Sequence, residues 1–156
     1  MDKKDYRSNV GIMVVNKDGK ILVCKRTDTR DSQWQMPQGG IDGNENHIKA
    51  GYRELKEETT ITKEQTEFID FWDEFQFYDI PKESSNPYKG QKQKWLIVRY
   101  IGEGIINLEQ AQDHEFKEYK WVSMDEAINL VWKPKKEIYK NLAKRYCLIL
   151  QDIVIC

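Results

Sequence analysis

The amino-acid sequence predicts an α/β (α+β) fold, a sandwich of helices around a mixed β-sheet. Three observations lead there: β-prone segments come in hairpin-like pairs, one helical segment is inserted between two such pairs, and further helices are appended at the end. That order differs from the regular strand-helix alternation of a βαβ repeat. The 156 residues (18.6 kDa) suit one domain spanning 1–156.

Val10 to Val15 and Ile21 to Arg26 are apolar runs separated by an Asp-Gly pair, the signal of an antiparallel hairpin. Thr27 to Asn44 is polar, with Pro37, Gly39, Gly40 and Gly43, and is expected as a long functional loop. Asn46 to Thr59 places Ile48, Ala50, Gly51, Tyr52 and Leu55 on a narrow stripe, so it is expected as a helix packed on the sheet with an acidic outer face. Glu67 to Ile80 and Trp95 to Ile101 are β-prone and flank a loop with Pro, Ser, Asn and Gly, which predicts a second antiparallel pair. Tyr119 to Val122 is a short strand, and Ser123 to Glu126 has the capping-box spacing that starts a helix. Pro134 at a first-turn position introduces a final helix over Lys135 to Leu150.

Hydrophobic residues at 39% and charged residues at 33% supply a core under a charged surface, which excludes wholesale disorder. Lys plus Arg (25) against Asp plus Glu (26) leave a net charge of −1, so any polyanion contact must be local, and no DNA partner is expected. No apolar run reaches the length of a membrane span, so no membrane partner is expected and the chain is placed in the cytoplasm. Cys24, Cys147 and Cys156 have neither metal-ligand spacing nor the even count of a disulfide framework. A monomer is favoured.

The informative stretch runs Gly39, five residues, Glu45, seven residues, then Arg53-Glu54-Leu55-Lys56-Glu57-Glu58. Glu54, Glu57 and Glu58 are related by i+3 and i+4 and share one helix face. Each like-charge pair there costs a helix ~0.2 to 0.5 kcal/mol, so the cluster needs a counter-charge. Hard divalent cations provide one, since Mg²⁺ takes oxygen ligands from a few carboxylates plus substrate phosphates. Arg53, four residues before Glu57, can orient it through a charge-assisted hydrogen bond. A merely solvated acidic face is the ordinary reading of a Glu-rich helix, but chance recurrence of the six fixed positions is on the order of 10⁻⁸ to 10⁻⁷ per starting point.

This pattern resembles the Nudix box, the signature of hydrolases that cleave a nucleoside diphosphate linked to another moiety. Tyr6-Arg7-Ser8-Asn9-Val10-Gly11, Trp34 to Gly40, Gly90-Gln91-Lys92-Gln93-Lys94-Trp95, Glu115-Phe116 and Trp121-Val122-Ser123 look like the bacterial RNA pyrophosphohydrolase and dinucleoside polyphosphate hydrolase branch. The resemblance implies an αβα sandwich and more than one Mg²⁺ or Mn²⁺ ion. It makes Glu54, Glu57, Glu58 and Glu115 metal ligands with the backbone carbonyl near Gln38, and one helix carboxylate a possible base, so Glu57, Glu54 and Arg53 form the catalytic set. Arg7, Arg26, Gln91, Lys92 and Lys94 are its substrate-binding candidates. Arg7 equally suits an ordinary surface charge, Arg26 a strand end, and Lys92 with Lys94 an edge-strand gatekeeper pair.

Two positions depart from the family. Thr60 stands where the box closes with Gly, whose usual role is a left-handed turn ending the helix. Pro134 stands where the branch carries a base-stacking Phe, which leaves Trp132 as the stacking candidate or, equally, as a core aromatic. Lys133, Lys135, Lys136, Lys140, Lys144 and Arg145 form a basic stretch, read as a solvated face or an RNA track, and His47 and His114 are read as surface residues. The expected substrates are RNA 5′ ends, with dinucleoside polyphosphates as the alternative and a non-catalytic binding module as the reading from another class.

Overall fold

Strand β1 (Tyr6–Val15) is buried almost throughout and must therefore be covered on both faces. It runs parallel to β6 (Gly90–Tyr100) from Tyr6↔Gly90 to Val15↔Arg99, and β6 pairs antiparallel with β5 (Thr66–Asp79). The structure is a computed structural model in which residues 5–27, 33–82 and 86–150 are described. On the other side of β1, the turn at Asn16 to Lys20 leads into β2 (Ile21–Arg26), which pairs with β1 at Val15↔Ile21. Beyond that rung β2 pairs with β3 (Trp34–Gln35) and, along its full length, with β7 (Phe116–Val122), while β1 takes up β4 (Gln38–Gly40).

The expected hairpin thus holds at its turn only, because the two strands part and β3 and β4 occupy the opening. Both short strands lie inside the segment read as a loop. Their Gly and Pro residues weaken the local strand signal, and pairing with the apolar β1 and β2 supplies what propensity does not.

The helices complete the sandwich. Helix α1 (His47–Thr59) covers one face, burying Leu55 against Ile12, Val14, Leu22, Leu96 and Val98. Helices α2 (Met124–Leu130) and α3 (Lys136–Arg145) cover the other, with Met124, Ile138 and Leu142 against Met13, Val23, Trp95 and Ile97. Alternation along β1 and β6 sends successive residues to opposite cores. The Asn46 side chain caps α1 by accepting from the Lys49 N–H at 2.8 Å, and Ser123 Oγ caps α2 from the Glu126 N–H at 3.2 Å. The expected last helix is shorter than its sequence pattern, since Lys133–Lys135 with Pro134 form a 3₁₀ turn and α3 ends at Arg145. Cys24 is a buried free thiol, whereas Cys147 is disulfide-bonded, which corrects the expectation from the odd cysteine count. Residues 151–156 of the apolar tail lie outside the described residues.

Candidate active site

Helix α1 carries Glu54 and Glu58 buried and Glu57 part-exposed on the face predicted from their spacing. Arg53 organises the cluster. Its Nε and Nη2 clasp Glu45 bidentately at 2.9 Å each, Nη1 donates to Glu54 at 2.9 Å and Glu57 at 3.0 Å, and Nη2 also donates to the Gly40 carbonyl at 3.0 Å. One guanidinium therefore ties the helix to the loop before it and to β4. It holds the Glu45 carboxyl below its ordinary range by direct hydrogen bonding.

Gly39 explains how the helix reaches the strand: a Cβ there would stand 2.0 Å from Glu54 Cδ. A side chain at that position would displace the carboxylate.

The Glu58 carboxyl is pushed well up, first by burial and then by Glu115 and Glu54, which lie within hydrogen-bonding reach. Burial also raises Glu54, against the pull of Arg53. Oε2 of Glu58 is buried with no hydrogen-bond partner. Adjacent carboxylates without a donor are stable only with a shared proton or a cation, so the set fits a hard divalent ion with oxygen ligands. Glu115 comes to this group from the segment before β7, whose backbone is tied by the Thr27 N–H donating to the Glu115 carbonyl at 2.9 Å. Asp113, which the sequence reading did not single out, joins as well: one carboxylate oxygen each of Glu54, Glu57 and Asp113 lie within 4.8 Å of one another.

A polar network adjoins the carboxylates. Gln38 Oε1 accepts from Lys135 Nζ and Gln93 Nε2, both at 3.0 Å, and Lys135 also donates to Gln35 Oε1 at 3.2 Å. Gln91 Oε1 accepts from the Tyr78 hydroxyl at 2.6 Å and from Asn9 Nδ2 at 2.7 Å. Lys135 is buried rather than part of a solvated basic face. Burial and the positive charge of Arg26 bring its ammonium down to about 7, against the opposing pull of Glu115 and Glu58, so Arg26, Lys135 and the acidic pair share one electrostatic neighbourhood. Burial raises the neighbouring Tyr78 hydroxyl to about 12. Lys135, Gln93 and Tyr78 carried no sequence signal as site residues; a lysine between Pro134 and Lys136 reads as surface until packing is known.

Trp132 lies between its two expected readings. Its ring packs on the edge of the core and meets Tyr78 edge-on, 6.4 Å between centroids, and it also lines a cavity of about 820 Å³ with Tyr6, Phe77, Lys89 and Pro134. Other candidates fall elsewhere. Lys92 and Lys94 project beside His47 at the start of α1, about two helical turns from Glu54, where both ammonium groups lie 4.7 Å from the Phe75 ring centre and Lys94 pairs with Asp73 at 2.5 Å. The structure does not bring them to the carboxylates. Arg7 lies next to Gly40 and lines a cavity of about 600 Å³ with Glu45 and His47. His47 is not a plain surface residue, since its Nε2 is buried without a partner and its ring packs against Phe75.

The carboxylate helix, its arginine clamp and the sandwich are the features that comparison with known proteins tests. The NUDIX domain model matches residues 5–142. This chain belongs to the Nudix family. Its relatives include proteins named RNA pyrophosphohydrolase from Pelagibacter ubique, 39% identical over 92% of this chain and 93% of that one, and from Wolbachia pipientis subsp. Culex pipiens, 36% identical over 98% and 96%. The fold is also that of the C. elegans Ap4A hydrolase binary complex, with a TM-score of 0.69, 21% identity and coverage of 90% of this chain and 98% of that one. Nudix hydrolases use divalent metals, and the acidic cluster on α1 provides the ligand set for them. No helix among the described residues is long and apolar enough to cross a membrane.

Proposed function

We propose that this Nudix hydrolase is an RNA 5′-pyrophosphohydrolase: water cleaves a phosphoanhydride bond of a 5′-triphosphate end, releasing pyrophosphate, or of a 5′-diphosphate end, releasing phosphate, and a 5′-monophosphate remains. The observation that carries the reading is the placement of the buried Glu54–Glu58–Glu115 group beside the Lys135–Gln38–Gln91 network and its aromatic cavity. Near full-length similarity to proteins of that name supports it. All of this belongs to one domain, working on RNA ends in the cytoplasm.

Glu54, Glu57, Glu58 and Glu115, with the carbonyl at Gln38, would hold Mg²⁺ or Mn²⁺, more than one ion, and Arg53 keeps Glu54 and Glu57 aimed. When bound, such ions neutralise phosphate charge and acidify water. The chain itself does the rest. Arg26 and Lys135 place positive charge beside the polyphosphate path, Gln91 offers a polar rim, and Trp132 with Tyr6 and Phe77 presents aromatic surface for a base. Arg7 stands close enough to the Glu45 loop to meet the chain of a longer substrate, whereas Lys92 and Lys94 keep a structural part at the start of α1.

Phosphate and pyrophosphate release from a 5′-triphosphate RNA and from diadenosine tetraphosphate, compared in Mg²⁺ and in Mn²⁺, tests the proposal. Strong preference for the RNA is expected; equal or better use of the dinucleotide would overturn it. Glu57→Gln, which is isosteric and removes one charge from a crowded helix, is expected to lower turnover by orders of magnitude while the fold persists. Tight binding without turnover in the unsubstituted protein would establish a binding module instead.

A further inference from the structure

The segment between β6 and β7 is fastened at several points. The Ile101 N–H donates to the Gln65 carbonyl at 2.8 Å, the Ile106 N–H to the Tyr119 hydroxyl at 3.0 Å, and Ile106 and Leu108 are buried in the core on the α1 side. The last fastening is to the helix itself: the Asp113 N–H donates to the Glu57 carbonyl at 3.0 Å. That carbonyl is in the last turn of α1, where no intrahelical N–H remains for it. One hydrogen bond thus caps the helix and sets the Asp113 side chain beside that of Glu57.

The resulting trio of Glu54, Glu57 and Asp113 oxygens fits within 4.8 Å. Oxygen ligands at ~2.1 Å around Mg²⁺ stand roughly 3 to 4 Å apart, so closure needs only small side-chain movements. The two hydrogens of Arg53 Nη1 are already directed at Glu54 and Glu57. Among the described residues no lysine or arginine pairs with Asp113. The trio is also not an isolated acidic patch, because Glu54 is in contact with Glu58, a side chain 1% exposed whose Oε2 is buried and unpartnered. That orphaned oxygen is an independent sign that the group completes itself with a cation.

We propose that Asp113 is a cation ligand at Glu54 and Glu57, on the opposite side of Glu54 from the Glu58–Glu115 pair, so that the loop before β7 supplies one acidic residue to each side of the helix carboxylates. The proposal rests on the divalent-metal reading above. It makes Asp113 and Glu115, two residues apart, ligands at different positions rather than alternatives for one.

Mn²⁺ binding to the full chain, followed by electron paramagnetic resonance of the free ion without any substrate, tests it. For the unsubstituted protein more than one Mn²⁺ is expected. Asp113→Asn, which keeps the backbone N–H and the side-chain shape, is expected to weaken one site ~10- to 100-fold and leave the other in place. Glu115→Gln is expected to weaken the remaining site, Asp113→Glu to recover part of the loss, and the metal-free melting temperature of Asp113→Asn to equal or exceed that of the parent. Unchanged Mn²⁺ stoichiometry and affinity in Asp113→Asn, with loss in Glu57→Gln, would overturn the role of Asp113 while leaving the metal reading intact. Absence of Mn²⁺ binding by the unsubstituted chain would overturn both.

Discussion

Thr60 is the residue at which this chain departs from the box and keeps the box's backbone. It caps α1 at φ 70° and ψ 0° and is, among the described residues, the non-glycine with positive φ. A side chain in that conformation costs ~1 to 2 kcal/mol, and glycine returns ~0.5 to 1 kcal/mol of that as unfolded-state entropy. Thr60→Gly is therefore expected to stabilise by roughly 0.5 to 1 kcal/mol, with Thr60→Ala giving no such gain; urea midpoints at constant slope decide it. A second residue gives a pH signature. Burial chiefly, with Lys94 and Lys92 adding and Asp73 opposing, holds the His47 imidazole below its ordinary range. As pH falls through about 6.5 the unfolded chain takes up the proton first, so stability at this site is present at neutral pH and lost on acidification. His47→Leu keeps the packing on Phe75, and its melting temperature relative to the parent is expected to rise as pH goes from 7 to 5; a constant difference would remove His47 as the cause. Residues of this kind separate what sequence reveals from what it hides. Glu54, Glu57, Glu58 and Arg53 were legible because helical spacing alone puts them together, whereas Lys135 and Asp113 owe their places to tertiary packing and resemble ordinary surface charges in the sequence.

At the scale of elements, the same distinction follows range of interaction. Helix α1 and strands β5 and β6 were legible because periodicity and capping are local. The two-rung strand β3 and the short β4 were not, because they exist by pairing with β2 and β1, and their own residues signal a loop. Strand β4 matters most for the site, since Gly39 is the point at which strand and catalytic helix touch. Gly39→Ala forces either the Glu54 carboxylate or the strand to move, and a displacement near 1 Å can cost ~10²-fold in rate. The expected result is a fall in kcat of that order with a smaller change in KM, measured on a 5′-triphosphate RNA. Near-normal kcat would show that the carboxylate position is not critical. The same argument explains why Arg53 makes so many bonds: it fixes the loop, the strand and the helix at one place, and each would otherwise be free to drift.

The whole molecule concentrates acidic side chains from α1 and from the segment before β7 at one place on a sandwich whose cores lie elsewhere. Without a cation, the buried Glu58 and its neighbours oppose folding, since burial and like charge both disfavour the ionised form. A divalent ion that binds the folded chain and not the unfolded one reverses this, by ~2.7 kcal/mol at a hundredfold excess over Kd. For a chain of this length that corresponds to a rise in Tm of roughly 5 to 10 °C. Glu58→Gln removes the charge and part of the ligand set together, so two effects are expected in one variant: a metal-free Tm equal to or above that of the parent, and a much smaller rise when Mg²⁺ replaces chelator. Calorimetric scans of both proteins with and without Mg²⁺ read the two effects separately. A variant less stable than the parent without metal would make Glu58 a structural residue of the core, and a full Mg²⁺ shift in the variant would place the ion away from it. The expected pair of results ties the frustration of the metal-free fold to the chemistry the fold is arranged to perform.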